Sequence, residues 1–225
     1  MIPLKDDNPS RNIPFINLML IAVNIAVFIY QFFFMPEGPA YLINTLGVIP
    51  RDLLSLTVVH GSTSIPAPLT VFSAMFIHGG WLHLLGNMLY LWIFGDNVED
   101  RLGHRRYLIF YLSAGVAAAL VHAILFKNST VPCVGASGAI SGVLAAYLIF
   151  YPKARVTTLF FIFIFIRIVR LPAVVLLGLW IALQIASGIT DLSGTAGGVA
   201  WFAHVGGFAS GLLLALILKP KRRKV

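Results

Sequence analysis

The chain has few of the residues that a soluble protein carries on its surface. Only 11% of its 225 residues are charged, whereas 59% are hydrophobic and the mean hydropathy is +0.90. A soluble domain typically has about 25% charged and about 45–50% apolar residues. This composition excludes an ordinary soluble enzyme and predicts an integral membrane protein with one polytopic domain.

Cysteine is also nearly absent, and a cleavable leader is not expected. Cys133 is the single cysteine, so an intrachain disulfide is excluded and the redox compartment stays open. Residues 1–12 are polar and the first apolar run is long, which favours a retained anchor. The net charge of +8 comes from basic residues between apolar runs and at the C-terminal end. That placement favours membrane orientation over nucleic-acid binding.

Six apolar runs approach the roughly 20 residues that a membrane-crossing helix needs. The sequence therefore predicts an all-α membrane protein with a polar segment at 1–12, a six-helix domain at 13–218 and a basic tail at 219–225, which would anchor to anionic lipid. The excess of lysine and arginine in alternate connections predicts that both termini are cytoplasmic, and a seventh span would break that pattern. The predicted spans are 13–34, 72–94, 107–126, 135–151, 172–187 and 199–218.

Three connections differ from short loops. Residues 35–69 are too long and too apolar for an ordinary loop, so we expect a partly structured element against the membrane. Residues 156–170 are strongly apolar but about half the length of a span, which indicates an interfacial or re-entrant segment or a β-rich turn. Residues 188–198 are rich in Gly, Ser and Thr and predict a flexible loop.

Polar side chains lie at matching depths in the second, fourth and sixth spans, which run in the same direction. With a rise of 1.5 Å per residue, Ser137 and His204 each lie roughly 21 Å from the inner end of their spans, and His83 roughly 20 Å. Asn87 lies one turn deeper than His83. The coincidence predicts a common site towards the outer side of the membrane.

Small residues would let the fourth and sixth spans approach closely. Gly138 and Gly142 form one GxxxG spacing and Gly207 and Gly211 form another, the pattern that lets membrane helices pack backbone to backbone. We also assign Gly135 to this helix packing near the site. Such contact would bring Ser137 within reach of His204.

A serine beside a neutral histidine predicts nucleophilic catalysis. The predicted spans hold no Asp or Glu, so the pattern predicts a dyad without the carboxylate of a triad. His83 and Asn87 share one helix face, and with the backbone N–H of Ser137 they could stabilise an oxyanion. Burying these polar groups in lipid without partners would be costly, which favours function.

Each residue alone also has a structural interpretation. A serine beside glycines often serves packing, and His83, Asn87 or His204 could link helices by hydrogen bonds. For His78 and His122 a structural role is the better prediction. No HExxH or cysteine-based spacing is present, so we predict no metal and no cofactor.

These motifs resemble those of the rhomboid family of intramembrane serine proteases. The resemblance implies that Ser137 is the nucleophile, His204 the general base, and His83 and Asn87 oxyanion stabilisers. It also implies a six-helix bundle with a short fourth helix, a first loop half in the membrane and a fifth span that gates substrate entry. The opening residues 1–9 resemble bacterial members, and the matching segments are 78–87, 95–99, 135–138 and 203–211.

The chain departs from the family pattern at two places. Many members carry a Trp-Arg pair where this chain has Leu69 and Thr70, and some carry a tyrosine where it has Ser141. The first departure bears on how the first loop is anchored, and the second on how the histidine is supported. Neither removes a reacting group.

The sequence therefore predicts a membrane-embedded endopeptidase that cleaves the transmembrane segments of other proteins near their outer ends. Its partners would be those substrates and the lipid bilayer, and its location a bacterial inner membrane with the site opening outwards. A catalytically inactive, client-binding relative is the main alternative. A small transporter would call for internal repeats or ionisable groups at mid-membrane, which the sequence lacks.

Overall fold

The computed structural model describes residues 1–55, 65–162, 165–191 and 199–218. Within them nine helices and three strands follow one another along the chain. They are β1 (Ile2–Asp6), α1 (Phe15–Phe34, whose last turn from Tyr30 is a π-helix), α2 (Pro39–Leu46), α3 (Pro50–Ser55), α4 (Ala67–Phe76), α5 (Trp81–Leu102), α6 (His104–Leu125), α7 (Ser137–Phe150), β2 (Arg155–Ile162), β3 (Phe165–Pro172), α8 (Ala173–Thr190) and α9 (Trp201–Leu218).

The described helices confirm a mainly helical, multi-pass membrane protein. Four of them, α1, α6, α8 and α9, are long and apolar enough to cross a bilayer, and α4 with α5 forms a fifth candidate that bends by 81°. The apolar helix α7 has 14 residues, or roughly 21 Å at 1.5 Å per residue. It therefore spans less than the roughly 30 Å of bilayer hydrocarbon. The count of six spans and the cytoplasmic termini stay predictions.

The second predicted span, 72–94, is not one continuous helix. The chain leaves the helical path after Phe76 and resumes it at Trp81, and the resumed helix continues to Leu102. The prediction was therefore wrong at both ends. The charged residues around Asp96 and Glu99 lie between two predicted spans, which suggested a loop. They form the last turns of α5 instead, because residues of the N-terminal segment make hydrogen bonds with them.

The N-terminal residues fold onto that charged end of α5. The Glu99 carboxylate accepts hydrogen bonds from the backbone N–H groups of Ile16 and Asn17, at 2.9 and 2.7 Å. It thus caps the start of α1, where free N–H groups and the helix dipole favour an anion. Asn12 donates to Asp100 from its backbone and its side chain. Residues 1–12 are therefore packed against the bundle.

The described residues on either side of 163–164 form two antiparallel strands, which confirms the β-rich alternative for the segment 156–170. Strands β2 and β3 pair antiparallel from Arg155↔Pro172 to Ile162↔Phe165. Strand β1 adds to the other side of β2, with Ile2 opposite Leu159, and completes a three-stranded sheet. The fold is therefore not purely helical, a feature that hydropathy alone could not predict.

Helix α7 occupies the centre of the bundle and packs against α5, α6 and α9. A Cβ added to Gly207 would overlap the carbonyl group of Gly138 and meet Ser141, and one added to Gly211 would overlap Gly142. Backbone therefore touches backbone along this pair of helices, as the two GxxxG spacings predict. Gly135 has a different place, since it precedes α7 and does not pack between helices.

The first connection is partly structured, as expected. It contains α2 and α3, and Val48 exchanges two backbone hydrogen bonds with Cys133 in the loop before α7, at 2.9 and 2.8 Å. This contact ties the connection to the segment that leads into Ser137. Residues 56–64 of the same connection, residues 192–198 of the predicted flexible loop and the basic tail 219–225 lie outside the described residues.

We predict that Gly207→Ala destabilises the protein, whereas Gly178→Ala does not. The new methyl group at 207 must push α7 away from α9, and overpacking of this kind costs about 1–3 kcal/mol. A methyl group at 178 meets no atom within 4 Å and favours the helix, because alanine is the better helix former. Unfolding in detergent, followed by circular dichroism, measures both. Equal stability of the two variants would contradict the close packing.

A polar cluster joins the strand β1 to α7 and α5. Tyr147 donates from its hydroxyl to Asp6 Oδ2 at 2.5 Å, and Asn97 donates to the same oxygen at 3.1 Å. Asn8 donates in turn to the Asn97 side-chain oxygen. Burial, aided by repulsion from Asp96, raises the pKa of Asp6 to about 6 from an ordinary 3.8, although the Tyr147 bond opposes the rise. Burial thus outweighs the hydrogen bonds, and Asp6 keeps its proton up to a higher pH than an exposed aspartate does.

This raised pKa predicts a pH-dependent stability that Asp6→Asn removes. Because Asp6 binds its proton more tightly in the folded state, its contribution is complete below about pH 4 and is lost as the pH rises through about 6. Asparagine stays neutral and can still accept the Tyr147 bond. Between pH 4 and pH 8, the melting temperature of Asp6→Asn should rise relative to that of the parent protein. Parallel curves for the two proteins would contradict this assignment.

Candidate active site

Ser137 is the first residue of α7, and the loop before it is held in a special backbone conformation. Gly135 has φ +122°, which side-chain-bearing residues rarely adopt. Its N–H donates to the Ala74 carbonyl at 2.8 Å, and a Cβ at this position would lie 2.6 Å from His83 Nε2. Only glycine therefore lets the loop pass His83 and start α7 at Ser137.

The structure brings Ser137 and His204 together. His204 lies in the first turn of α9, and its Nε2 is 2.8 Å from Ser137 Oγ. The close glycine contact between α7 and α9 makes this distance possible. The two residues predicted from matching depth are thus direct hydrogen-bond partners, although 67 positions separate them in the chain.

A third residue, Gln184 on α8, completes a chain of hydrogen bonds through the histidine. Gln184 Oε1 lies 2.6 Å from His204 Nδ1, and the glutamine is 8% exposed. In this orientation of the amide its oxygen faces the ring and can only accept, so the contact requires a proton on Nδ1. In the neutral ring Nε2 is then free to accept the Ser137 hydroxyl proton. Sequence analysis missed Gln184, although a single glutamine in the apolar run 172–187 was an available signal.

Aromatic rings flank the histidine where the family pattern suggested a tyrosine. The Trp180 ring lies at a 33° tilt to His204 with the centroids 5.9 Å apart, and Trp201 approaches edge-on at 6.4 Å. Ser141, at the position of that tyrosine, donates to the Ser137 carbonyl at 2.6 Å. Support for the imidazole therefore comes from α8 and from its own helix instead of from α7.

His83 and Asn87 line the same cavity as Ser137 and His204, which has a volume of about 860 Å³. Trp81, Trp180 and Gln184 are also in its wall, and the wall includes no carboxylate among the residues that the structure describes. Asn87 is 7% exposed, and its amide nitrogen has no hydrogen-bond acceptor within the described part of the chain. A buried donor without a partner is uncommon. It could donate to an oxygen that enters the cavity.

Two other histidines that the structure describes, His78 and His122, are not in the wall of this cavity. His78 is completely buried, its carbonyl accepts from Gln31 Nε2 at 2.9 Å, and its ring meets that of His83 edge-on at 5.1 Å. His78 thus packs against the His83 ring from outside the cavity. His122 packs on Phe126 and borders an adjoining cavity of about 170 Å³, which shares His83 and Trp201 with the larger one.

The arrangement has the parts needed for acyl transfer. A hydroxyl contacts an imidazole nitrogen that can take its proton, and an unpartnered amide donor and the N–H groups at the start of α7 lie close by. Such donors stabilise the oxyanion that forms when a hydroxyl attacks a carbonyl. The cavity lies within a bundle of apolar helices, so its substrate would be reached inside or beside the bilayer.

Comparison with known families gives one clear match. A family model described as "Rhomboid domain" matches residues 67–221. This stretch covers more than half of the chain and contains α4 to α9, and therefore Ser137, His204, His83 and Asn87.

Individual relatives agree with that match. The chain is 33% identical over 148 residues to "RHOMBOID-like protein 4" of Arabidopsis thaliana, covering 66% of this chain and 33% of the relative. It is 30% identical over 156 residues to "Rhomboid protein 1, mitochondrial" of Saccharomyces cerevisiae (66% and 41%). It is 34% identical over 113 residues to the human "Presenilin-associated rhomboid-like protein, mitochondrial" (48% and 30%). The chain thus spans less than half the length of these relatives.

Proposed function

The chain belongs to the rhomboid family, and we propose that it is an intramembrane serine endopeptidase that uses Ser137 and His204 as a catalytic dyad. The observation that carries this proposal is the 2.8 Å contact between Ser137 Oγ and His204 Nε2 in a cavity enclosed by apolar helices. Serine and histidine at this separation, with the histidine proton on the far nitrogen, fit the nucleophile and general base of acyl transfer.

In the proposed reaction Ser137 Oγ attacks the scissile carbonyl carbon while His204 Nε2 takes the hydroxyl proton. The developing oxyanion accepts hydrogen bonds from Asn87, the Ser137 backbone N–H and His83. The tetrahedral intermediate collapses, the C–N bond breaks, and His204 gives its proton to the leaving amine. Water then attacks the carbonyl carbon of the acyl-enzyme ester while His204 Nε2 takes a proton from it. His204 returns that proton to Ser137 Oγ as the ester bond breaks, and the second product leaves with a new carboxylate.

The substrates proposed for this site are transmembrane segments of other proteins, cut near their outer ends. Ser137 begins a helix that is too short to cross the bilayer, so a substrate must present its peptide bond below the membrane surface. A helical segment hides its carbonyl groups in backbone hydrogen bonds. Segments with small or helix-weakening residues at the cut should therefore be preferred.

The protein is an integral, multi-pass membrane protein, and we propose that the cavity opens to the outer side with both termini cytoplasmic. The proposed orientation rests on the distribution of lysine and arginine between connections. A bacterial inner membrane remains a sequence-based prediction. It gains no support from these relatives, of which one is a plant protein and two are named as mitochondrial.

We predict that Ser137→Ala and His204→Ala each abolish cleavage of a single-span reporter by the purified protein in liposomes. Removing either member of the dyad should lower kcat by about 10⁴-fold or more, because proton transfer and attack act as one unit. Cleavage products separated by gel and mapped by mass spectrometry give the rate and the position of the cut. Ser210→Ala, on α9 but not in the wall of the cavity, is the matched control and should cleave normally.

Two outcomes would contradict the proposal. Cleavage that survives Ser137→Ala would exclude the serine mechanism. Absence of cleavage by the parent protein across several reporters and lipid mixtures, together with stable capture of those reporters, would favour a client-binding protein without catalysis.

The oxyanion assignment makes a separate prediction for Asn87. Asn87→Ala should lower kcat by about 10²–10³-fold, since loss of one oxyanion donor typically costs that much. The KM should change little, because the donor acts on charge that develops only in the transition state. Met88→Leu, on the same turn of α5 and nearly equal in volume, serves as the control. A rise in KM at unchanged kcat would instead make Asn87 a substrate-binding residue.

A further inference from the structure

We infer that Gln184 is a positioning residue that fixes the tautomer and the orientation of His204 for the dyad. This inference rests on the proposed function, because it assigns Gln184 the place that a carboxylate has in a Ser-His-Asp triad. The observation behind it is the continuous chain of contacts from Gln184 Oε1 to His204 Nδ1, at 2.6 Å, and from His204 Nε2 to Ser137 Oγ, at 2.8 Å.

The tautomer of His204 depends on which of its two ring nitrogens has a hydrogen-bond acceptor beside it. A neutral imidazole carries one proton, and a proton on Nε2 would prevent it from accepting the serine hydroxyl proton. With no acceptor at Nδ1, both tautomers would be populated and part of the protein would be inactive. Gln184 Oε1 binds only the Nδ1–H form, so it selects the one in which Nε2 faces Ser137 as a base.

An amide suits this position better than a carboxylate. Gln184 is almost fully buried, and within a membrane bundle an ionised side chain is costly unless it is paired. A carboxylate would also stabilise the imidazolium, so the ring would stay protonated, and unable to act as a base, up to a higher pH. The amide oxygen orients the ring by a neutral hydrogen bond without that effect.

Gln184 shares its helix face with a second group that contacts the histidine. Trp180 lies one turn earlier on α8, so the two side chains are spaced i, i+4 and reach the same ring. The tryptophan covers the imidazole at 5.9 Å while the glutamine holds Nδ1. Helix α8 therefore restrains both the plane and the rotation of His204.

The test compares Gln184→Met, which keeps the length of the side chain but removes the acceptor, with Gln184→Glu, which restores an acceptor and adds charge. Leu183→Ala, at a 48% exposed position on the same helix, is the matched control. For Gln184→Met we expect kcat to fall by about 10- to 100-fold with KM within twofold, the size expected when a buried donor loses its partner. Gln184→Glu should regain kcat, but its pH–rate profile should have its acidic limb at higher pH.

A spectroscopic measurement tests the same inference without catalysis. In protein labelled with ¹⁵N-histidine, the signals that disappear in His204→Ala identify the ring, and two-bond couplings report which nitrogen carries the proton. The parent protein should show Nδ1–H, and Gln184→Met should show a mixture of the two tautomers. The melting temperature of each variant confirms that it is folded.

The outcomes separate this inference from the proposed function. If the parent protein cleaves reporters and Gln184→Met cleaves equally well with unchanged tautomer, the positioning role is wrong while the protease stands. If the parent protein cleaves nothing but Gln184→Met alters the His204 tautomer, the positioning role stands and the protease does not. A rise in KM alone for Gln184→Met would assign the glutamine to substrate binding and overturn the inference.

Discussion

Backbone contact between α7 and α9 is the constraint on which the site depends. Ser137 and His204 come from helices that would ordinarily be held about 8–10 Å apart by their side chains, and glycines at 138, 142, 207 and 211 remove those side chains at the points of contact. The same contact leaves α7 with its apolar side chains directed to α5 and α6. A helix of 14 residues, too short to cross the bilayer, can then occupy the centre of the bundle.

The polar groups of the protein are separated into two layers along the bundle. One layer surrounds Ser137 and consists of uncharged donors and acceptors, among them Asn87, His204 and Gln184. The other layer holds five of the eight acidic residues, Asp6, Asp7, Asp96, Glu99 and Asp100. There Glu99 and Asp6 are bonded by backbone N–H groups, asparagines and a tyrosine. These five carboxylates lie at one end of the bundle, and the site around Ser137 uses neutral hydrogen bonds, which cost less in an apolar medium.

Much of this arrangement could be read from the sequence, and the remainder could not for identifiable reasons. Depth along parallel spans predicted that Ser137 meets His204, because helical rise converts residue number into distance. Gln184 was missed because a single amide in an apolar run has no spacing that distinguishes it from helix-linking residues. The extension of α5 beyond residue 94 was missed because hydropathy treats Asp96 and Glu99 as surface groups. Strand β1 was missed because its partner lies far along the chain.

The pairing of β1 with β2 has a consequence for how the protein is made. Ile2 can pair only after Leu159, its neighbour in the sheet, has been synthesised. At a synthesis rate of roughly 5–20 residues per second, the roughly 150 intervening residues take about 8–30 s. During that time the first strand has no partner and Asp6 cannot reach its completed cluster. The sheet can therefore close only after α1, α5, α6 and α7 have left the ribosome, so β1 is translated before these helices but pairs after them.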